Sequence, residues 1–233
     1  MKLTAQGRAG HGSMMNDENA LTALTDAVAK IGRYEWPQRY TKTVKDLFKE
    51  VARVTGKAYD EKDLRPLLSE IGSTARMIGA TLQNTANPTM LEAGYKANVI
   101  PGTASAVIDG RFLPGHEEEL NSTIRSIIEP DIQIETLSHD ISLEVDFNSP
   151  LVEAMKAALL REDPEGIPVP YMMSGGTDNK ALSELGIVGY GFSPLRLPAE
   201  LDFMSLFHGV DERVPVDGLR FGVNVLKDFL ETA

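Results

Sequence analysis

Residues 103–113 carry the pattern that most restricts what this chain can fold into. One set of alternate positions is apolar and comprises Ala104, Ala106, Ile108 and Phe112. The intervening positions include the polar residues Ser105, Asp109 and Arg111. A period of two predicts a β-strand with one face in a core and the other in solvent. Pro114-Gly115 ends this strand, and the pattern therefore favours a sheet that is covered on one side.

The elements around this strand follow one another in a recognisable order. The predicted strands are 1–8, 89–98, 103–113, 132–137 and an edge-type strand at 141–147. One helix is predicted after Asn16 or Asp17, either of which can cap it, and another from Glu117. Strand–helix–strand–strand–helix–strand is the order of a ferredoxin-like split βαβ unit. We therefore predict an α+β fold with a four-stranded antiparallel sheet in residues 1–148.

A helical insertion is predicted within this unit, at about 33–88. Apolar residues recur at helical spacing in two stretches, first Val44, Leu47, Val51 and Val54, then Leu64, Leu67, Leu68, Ile71 and Ala75. Gly56 is expected to end the first helix. Pro66 stands near the start of the second, where proline is tolerated.

The pattern changes after Asn148, where we place a domain boundary. The predicted elements of 149–233 are a helix at 151–161, a strand at 169–173, a helix at 178–185, a strand at 187–191 and a closing helix. This alternation is typical of an α/β layer with parallel strands. Pro168 and Pro170 weaken the start of its first strand, because proline cannot donate a hydrogen bond to a ladder.

Composition narrows the partners and the chemistry of the chain. It has 233 residues, a formal net charge of −11 and no cysteine. The length suits one large or two small domains, and the acidic balance argues against nucleic acid as a partner. Without cysteine, any metal must be held by histidine and carboxylate side chains. Neither a membrane-length apolar run nor a signal-peptide layout is present, so we expect a cytoplasmic protein with no membrane partner.

Two of the four histidines lie in sequence motifs that suit ligand binding or metal coordination. His11 lies in GRAGHGS, where glycines let the backbone approach a ligand, although a turn histidine held by a backbone carbonyl is the alternative. His208 lies in FHGVDERVP beside two carboxylates, and a neutral imidazole oriented by a carboxylate is a common zinc ligand. One histidine does not make a zinc site, because catalytic zinc needs three protein ligands. His116 and His139 are expected to face solvent, with no paired ligands nearby.

Other candidates come from a loop and from two strand ends. The SGGTD loop contributes Gly175, Gly176 and Thr177. It follows a predicted strand, where ligands of open α/β sheets bind, although a plain capped turn is the alternative. Asn98 precedes Val-Ile-Pro-Gly at the end of a strand. Arg111 can offer a bidentate fork to a substrate carboxylate, and a salt bridge with Asp109 is its alternative.

Taken in order, the motifs GRAGHGS, ANVIPG, DGRFLPG, SGGTD and FHGVDERVPVD resemble those of the co-catalytic zinc peptidases and amidohydrolases. This family includes aminoacylase, acetylornithine deacetylase, succinyl-diaminopimelate desuccinylase, carnosinase and glutamate carboxypeptidase. The resemblance implies a ferredoxin-like lid that forms a homodimer, followed by the C-terminal part of an α/β catalytic domain. It also implies hydrolysis of an amide or peptide bond next to a carboxylate, in a small peptide or an N-acyl amino acid.

The resemblance assigns a role to each candidate. His11 is similar to the lid histidine that reaches into the partner subunit's active site and polarises the scissile carbonyl. Asn98 is similar to the asparagine that helps to hold the substrate or the oxyanion, and Arg111 to the arginine that grips a substrate carboxylate. The SGGTD loop would line the substrate pocket. His208 is similar to the last ligand of one of two zinc ions.

The chain also departs from the family pattern. It contains no His-x-Asp motif, and its only Glu-Glu run, Glu117–Glu119, opens a predicted surface helix. The complete enzyme would hold two zinc ions, whereas His208 is the one ligand found here. We therefore expect a fragment that is inactive by itself. A non-catalytic dimerisation or binding module derived from the family is the alternative, and an unrelated α+β binding domain is a third interpretation.

Overall fold

The computed structural model describes residues 1–232, which pack into two compact units. The first unit consists of 1–39 and 83–142, and the second of 40–82 together with the chain from Leu143 onward. The greater part of the predicted helical insertion therefore packs with the C-terminal segment. The boundary proposed at Asn148 stays a prediction about domains.

The strands are β1 (Lys2–Gln6), β2 (Gly10–His11), β3 (Thr85–Ala93), β4 (Val99–Ile100), β5 (Thr103–Arg111) and β6 (Gln133–Glu135). The helices are α1 (Ala20–Arg33), α2 (Lys42–Thr55), α3 (Arg65–Leu68), α4 (Ala75–Gly79), α5 (Glu117–Ile127), α6 (Pro150–Glu162), α7 (Asn179–Glu184) and α8 (Val216–Thr232), with 3-10 turns at Ser69–Thr74 and Phe203–Leu206. None of the helices in the described chain is long and apolar enough to cross a membrane.

A four-stranded antiparallel sheet in the order β3-β5-β1-β6 organises the first unit. β2 and β4 form a separate two-stranded ribbon. The alternation predicted for β5 is confirmed at Ala104, Ala106 and Ile108, which are buried, whereas Phe112 lies beyond the strand and is half-buried. The α+β class and the four-stranded antiparallel sheet are confirmed as well.

The core of the first unit lies between the sheet and its helices. Its fully buried side chains include Leu3, Leu24, Ile31, Ile108 and Ile124. They come from β1, α1, β5 and α5, so both helices cover the same face of the sheet. The apolar periods of three to four in the helices and of two in the strands produce this single core.

Helix α1 begins later than its sequence suggests. The Asn19 side chain accepts hydrogen bonds from the backbone N–H groups of Leu21 and Thr22, which makes it the cap. The prediction of Asn16 or Asp17 as the cap is therefore wrong. Asn16 instead donates to the carbonyl of Arg8 and so closes the preceding loop.

One strand prediction in this part of the chain shifts and another fails. β3 (Thr85–Ala93) both begins and ends earlier than the strand predicted at 89–98. Asn98 therefore lies in the loop that follows β3. The segment 141–147 is not a strand. Its Glu144 carboxylate accepts a 2.7 Å hydrogen bond from the backbone N–H of Thr43, at the start of α2. The backbone carbonyl of Asp146 accepts one from the hydroxyl of Tyr190.

The insertion helices form a separate core in the second unit. Phe48 of α2 is completely buried and packs in a cluster with Leu64, Leu67 and Ile78. Gly56 ends α2 in the left-handed conformation, at φ 70°, as expected. The second predicted helix is broken, because Gly72 takes φ 56° between the short helices α3 and α4.

The C-terminal segment is helical where helices are predicted but forms no parallel sheet. α6 packs against α8, and α7 lies close to its predicted bounds. The predicted strands at 169–173 and 187–191 are absent from the described chain. A strand needs a neighbour for its N–H and C=O groups, and an apolar run does not show whether one is present.

Candidate functional site

The β2–β4 ribbon brings His11 and Asn98 together although they are 87 positions apart. His11 pairs with Val99 in the ribbon, and the backbone N–H of Gly12 donates to the Asn98 carbonyl at 2.9 Å. The His11 Nε2 and Asn98 Nδ2 atoms lie 3.4 Å apart. Both side chains are exposed, so the ribbon presents a pair of polar groups to solvent.

Ser13 contacts the other nitrogen of the His11 ring. Its Oγ lies 2.8 Å from Nδ1, and its backbone N–H donates to the same nitrogen at 3.3 Å. The backbone N–H of Met14 donates to the carbonyl of His11 and closes the turn. His11 is thus a turn histidine held by its neighbours, with Nε2 facing outward toward Asn98. The prediction did not include Ser13, although a serine two residues after a histidine in a glycine-rich turn is a usable signal.

Tight packing anchors the loop that carries His11. The backbone N–H of Gly7 donates to the carbonyl of Gly102, and that of Arg8 donates to the carbonyl of Glu18. A Cβ atom on Gly7 would lie 2.2 Å from the Glu18 carbonyl oxygen. Only glycine fits at this point, where β1 leaves the sheet beside the start of α1.

Arg111 forms the salt bridge with Asp109 that is the alternative to a substrate-binding role. Its Nε and a terminal nitrogen donate to the two oxygens of Asp109 at 2.7 and 2.8 Å. These hydrogen bonds from the guanidinium lower the pKa of Asp109, and burial opposes that shift. β5 has nine residues, so Arg111 lies roughly 27 Å along the strand from the end nearest His11, at about 3.4 Å per residue. The structure therefore does not bring Arg111 to the His11–Asn98 pair.

The remaining candidates belong to the second unit. Gly175, Gly176 and Thr177 are exposed in a bend before α7. The carbonyl of Thr177 accepts a hydrogen bond from Lys180, but no side chain caps α7. His208 is exposed and takes φ 57°, a left-handed conformation that is uncommon for a residue other than glycine.

The described residues do not fit a zinc site by themselves. Within residues 1–232, no three histidine, aspartate or glutamate side chains lie close enough together to hold a metal ion. His208 therefore lacks the two further protein ligands that a catalytic zinc needs.

His139 is exposed, as predicted, whereas His116 is half-buried, and each ring contacts a carboxylate. His116 Nδ1 lies 2.9 Å from a Glu119 oxygen, and His139 Nε2 lies 2.8 Å from a Glu117 oxygen. His139 also stacks on Phe112. Both partners belong to the first turn of α5, so the Glu-Glu run holds two histidines in place.

Comparison with known proteins gives one family and several relatives. The family described as "Peptidase dimerisation domain" matches residues 1–133. Over 93% of its length the chain is 28% identical to a probable carboxypeptidase S-like protein from Dictyostelium discoideum and covers 43% of it. Over 95% of its length it is 27% identical to an N-fatty-acyl-amino acid synthase/hydrolase from Bos taurus and covers 46% of it.

The fold has a counterpart among solved structures. An M20 family metallo-carboxypeptidase from Sulfolobus solfataricus matches with a TM-score of 0.62 at 17% identity, over 99% of this chain and 56% of that one. At this identity the match shows a shared fold. The chain spans about half the length of the relatives that it matches.

Proposed function

We propose, from the premise that this chain belongs to the M20 peptidase dimerisation-domain family, that it is the lid-bearing part of a metal-dependent amide or peptide hydrolase. The observation that carries the proposal is the His11–Asn98 pair, whose nitrogens lie 3.4 Å apart on an exposed ribbon. Hydrogen-bond donors aimed at a carbonyl oxygen stabilise the negative charge that develops there during hydrolysis. In this proposal the pair binds the acyl oxygen of the substrate.

The proposed substrates are small peptides and N-acyl amino acids. The names of the relatives support this class, since they describe a carboxypeptidase and a hydrolase of N-fatty-acyl amino acids. Arg111 is the proposed ligand of a substrate carboxylate, and half of its side chain is exposed. Because Arg111 lies roughly 27 Å along β5 from the end nearest His11 of its own chain, the proposal places the Arg111 of one subunit and the His11–Asn98 pair of the other on one small substrate. To bind it, Arg111 must exchange Asp109 for the substrate. Gly175, Gly176 and Thr177 are proposed to line the substrate pocket.

Zinc belongs to the complete enzyme in this proposal. His208 would contribute one ligand to one of two ions, and those ions would supply an activated water. The part that this chain plays in the proposal is to bind the substrate and to supply that one ligand. The absence of cysteine suits the reducing cytoplasm, which is the proposed location.

The purified chain is expected to show no hydrolysis of N-acetyl amino acids or dipeptides above a zinc-only blank, because three metal ligands do not come together among its described residues. A ninhydrin or chromatographic assay of released amine, with added zinc, measures this. Turnover above the blank that disappears in His11→Ala would contradict the prediction, since it would show that the chain holds a complete site.

A homodimer through the first unit is also proposed, and the β3 edge is its expected interface. Among the described residues, β3 pairs with another strand of the sheet on one side only, and most of its residues are exposed. Leu91 is paired with Ala106, which is buried on the helix-covered face of the sheet, yet Leu91 is 56% exposed. A long edge strand with exposed apolar side chains is a natural site for pairing with another chain.

Leu91→Lys is expected to convert the dimer to a monomer, because twofold symmetry brings two added charges to one apolar interface. Multi-angle light scattering at several concentrations measures the mass. Val54→Lys is the matched control, since Val54 is 57% exposed on α2 and its variant should remain dimeric. A wild-type chain that is monomeric at all concentrations, or a Leu91→Lys dimer as tight as the wild type, argues against this interface.

A non-catalytic dimerisation module is the second candidate function. The family match over residues 1–133 favours it, because that match covers the lid and omits most of the second unit. The two functions differ at His11, whose outward nitrogen matters for holding an acyl oxygen and not for pairing two sheets.

A further inference from the structure

The two nitrogens of the His11 ring have different kinds of neighbours. At Nδ1 the structure places two groups of Ser13, the backbone N–H at 3.3 Å and the hydroxyl at 2.8 Å. At Nε2 it places the amide nitrogen of Asn98, at 3.4 Å. A hydroxyl or an imidazole nitrogen can donate or accept, whereas a backbone N–H and a side-chain amide nitrogen can only donate. A neutral ring has one acceptor nitrogen, so it can accept from Ser13 at Nδ1 or from Asn98 at Nε2, but not from both.

Of the two donors, the backbone N–H of Ser13 is fixed by the turn that the Met14–His11 hydrogen bond closes, whereas the Asn98 side chain can rotate. The backbone N–H of Ser13 therefore decides where the imidazole proton lies. A neutral imidazole carries one proton, and the nitrogen without it is the acceptor. Since Nδ1 accepts from a backbone N–H, the proton of neutral His11 belongs on Nε2. The Ser13 hydroxyl must then donate to Nδ1 as well, which holds the plane of the ring.

We propose that Ser13 is a positioning residue that makes His11 an outward-facing Nε2–H donor and places it beside the amide donor of Asn98. The two nitrogens are then neighbouring donors and not a donor and an acceptor. An oxygen about 2.9 Å from each nitrogen completes a triangle with their 3.4 Å separation. The ribbon is thus arranged for a single acceptor oxygen with two donors.

The role of this arrangement rests on the proposed function, in which that oxygen belongs to the scissile acyl group. The tautomer itself does not rest on it. The proton position is a property of the folded chain and is measurable whether or not the chain hydrolyses any amide.

Long-range ¹H–¹⁵N correlation of histidine-labelled chain tests the proposal at a pH above the ordinary titration range of histidine. His11 is expected to show a protonated Nε2 and an unprotonated Nδ1. His116 is the internal reference for the opposite tautomer, because its Nδ1 faces a Glu119 carboxylate, which only accepts. A protonated Nδ1 on His11 would overturn the proposal.

Variants separate the backbone group of Ser13 from its hydroxyl. Ser13→Ala keeps the backbone N–H, so the Nε2–H tautomer should remain, while the nuclear Overhauser contact between the His11 ring and the Asn98 amide should be lost. Ser13→Thr restores the hydroxyl and should restore the contact. A change of tautomer in Ser13→Ala, or a contact that this variant leaves at full strength, would contradict the assignment. Asn98→Ala should leave the tautomer unchanged, and a shift there would show that Asn98 donates to Nε2.

Discussion

Phe48→Ala is expected to lower the free energy of unfolding by about 3–5 kcal/mol, the range for removing an aromatic ring from a packed core. Phe48 is completely buried on α2 and lies in the cluster with Leu64, Leu67 and Ile78. The loss combines the transfer free energy of the ring with the cavity that remains, because surrounding side chains relax only in part. Denaturant unfolding followed by circular dichroism measures the change.

Val54→Ala is the matched control for this substitution. Val54 lies on the same helix but is 57% exposed, so its truncation should change the free energy of unfolding by about 0.5 kcal/mol or less. Equal effects of the two substitutions would show that the α2 cluster is not a packed core. The insertion would then be a surface appendage instead of the centre of the second unit.

The parts of the fold that the sequence predicts well are those set by local periodicity. The alternation of β5 identifies Ala104, Ala106 and Ile108 as buried, because a period of two leaves one face for the core. Element ends are harder, since neighbouring residues compete for one role. Asn16, Asp17 and Asn19 are all good caps, and the choice of Asn19 depends on Asn16 being engaged by the Arg8 carbonyl.

The C-terminal strands fail for a non-local reason. The runs at 169–173 and 187–191 have strand-like composition, but a strand exists only when a neighbour pairs with it. Helices α6 and α8 are correct because their hydrogen bonds are internal to the segment. A local sequence pattern is therefore sufficient to predict a helix and insufficient to predict a strand.

The candidate site shows what motif order and spacing can each provide. No local sequence pattern predicts that His11 and Asn98 meet, because the ribbon that joins them pairs only two residues on each side. Both residues are predicted as site residues from the family resemblance. Arg111 and Asp109 share a strand face two positions apart, and that spacing alone predicts their ion pair. The carboxylate contacts of His116 and His139 are not predictable from local spacing alone, because Glu117 meets a histidine that lies 22 positions along the chain.

Gly7→Ala is expected to lower the free energy of unfolding by about 3 kcal/mol, at the upper end of the usual cost of overpacking. The added Cβ would lie 2.2 Å from the Glu18 carbonyl oxygen and 2.6 Å from the backbone nitrogen of Ala20. Both are backbone atoms at the entry to α1, so neither can swing aside as a flexible side chain would. Relief requires the end of β1 to move away from the helix.

That movement also reaches the candidate site, because the loop from Gly7 leads directly into the ribbon. The hydrogen bond from Gly7 to the Gly102 carbonyl and that from Arg8 to the Glu18 carbonyl should both weaken. Amide spectra should therefore shift at His11 and Asn98 in Gly7→Ala, together with the loss of stability. The separation of the two site nitrogens would then depend on a backbone contact that neither residue makes.

Gly10→Ala is the matched control within the same loop. A Cβ at Gly10 meets nothing closer than the Asn16 side-chain amide at 4.0 Å, so we expect a change of about 0.5 kcal/mol or less. Denaturant unfolding and amide spectra of both variants decide the matter. If Gly7→Ala were as stable as Gly10→Ala and left the His11 and Asn98 amides in place, the close approach of β1 to α1 would not be what positions the site.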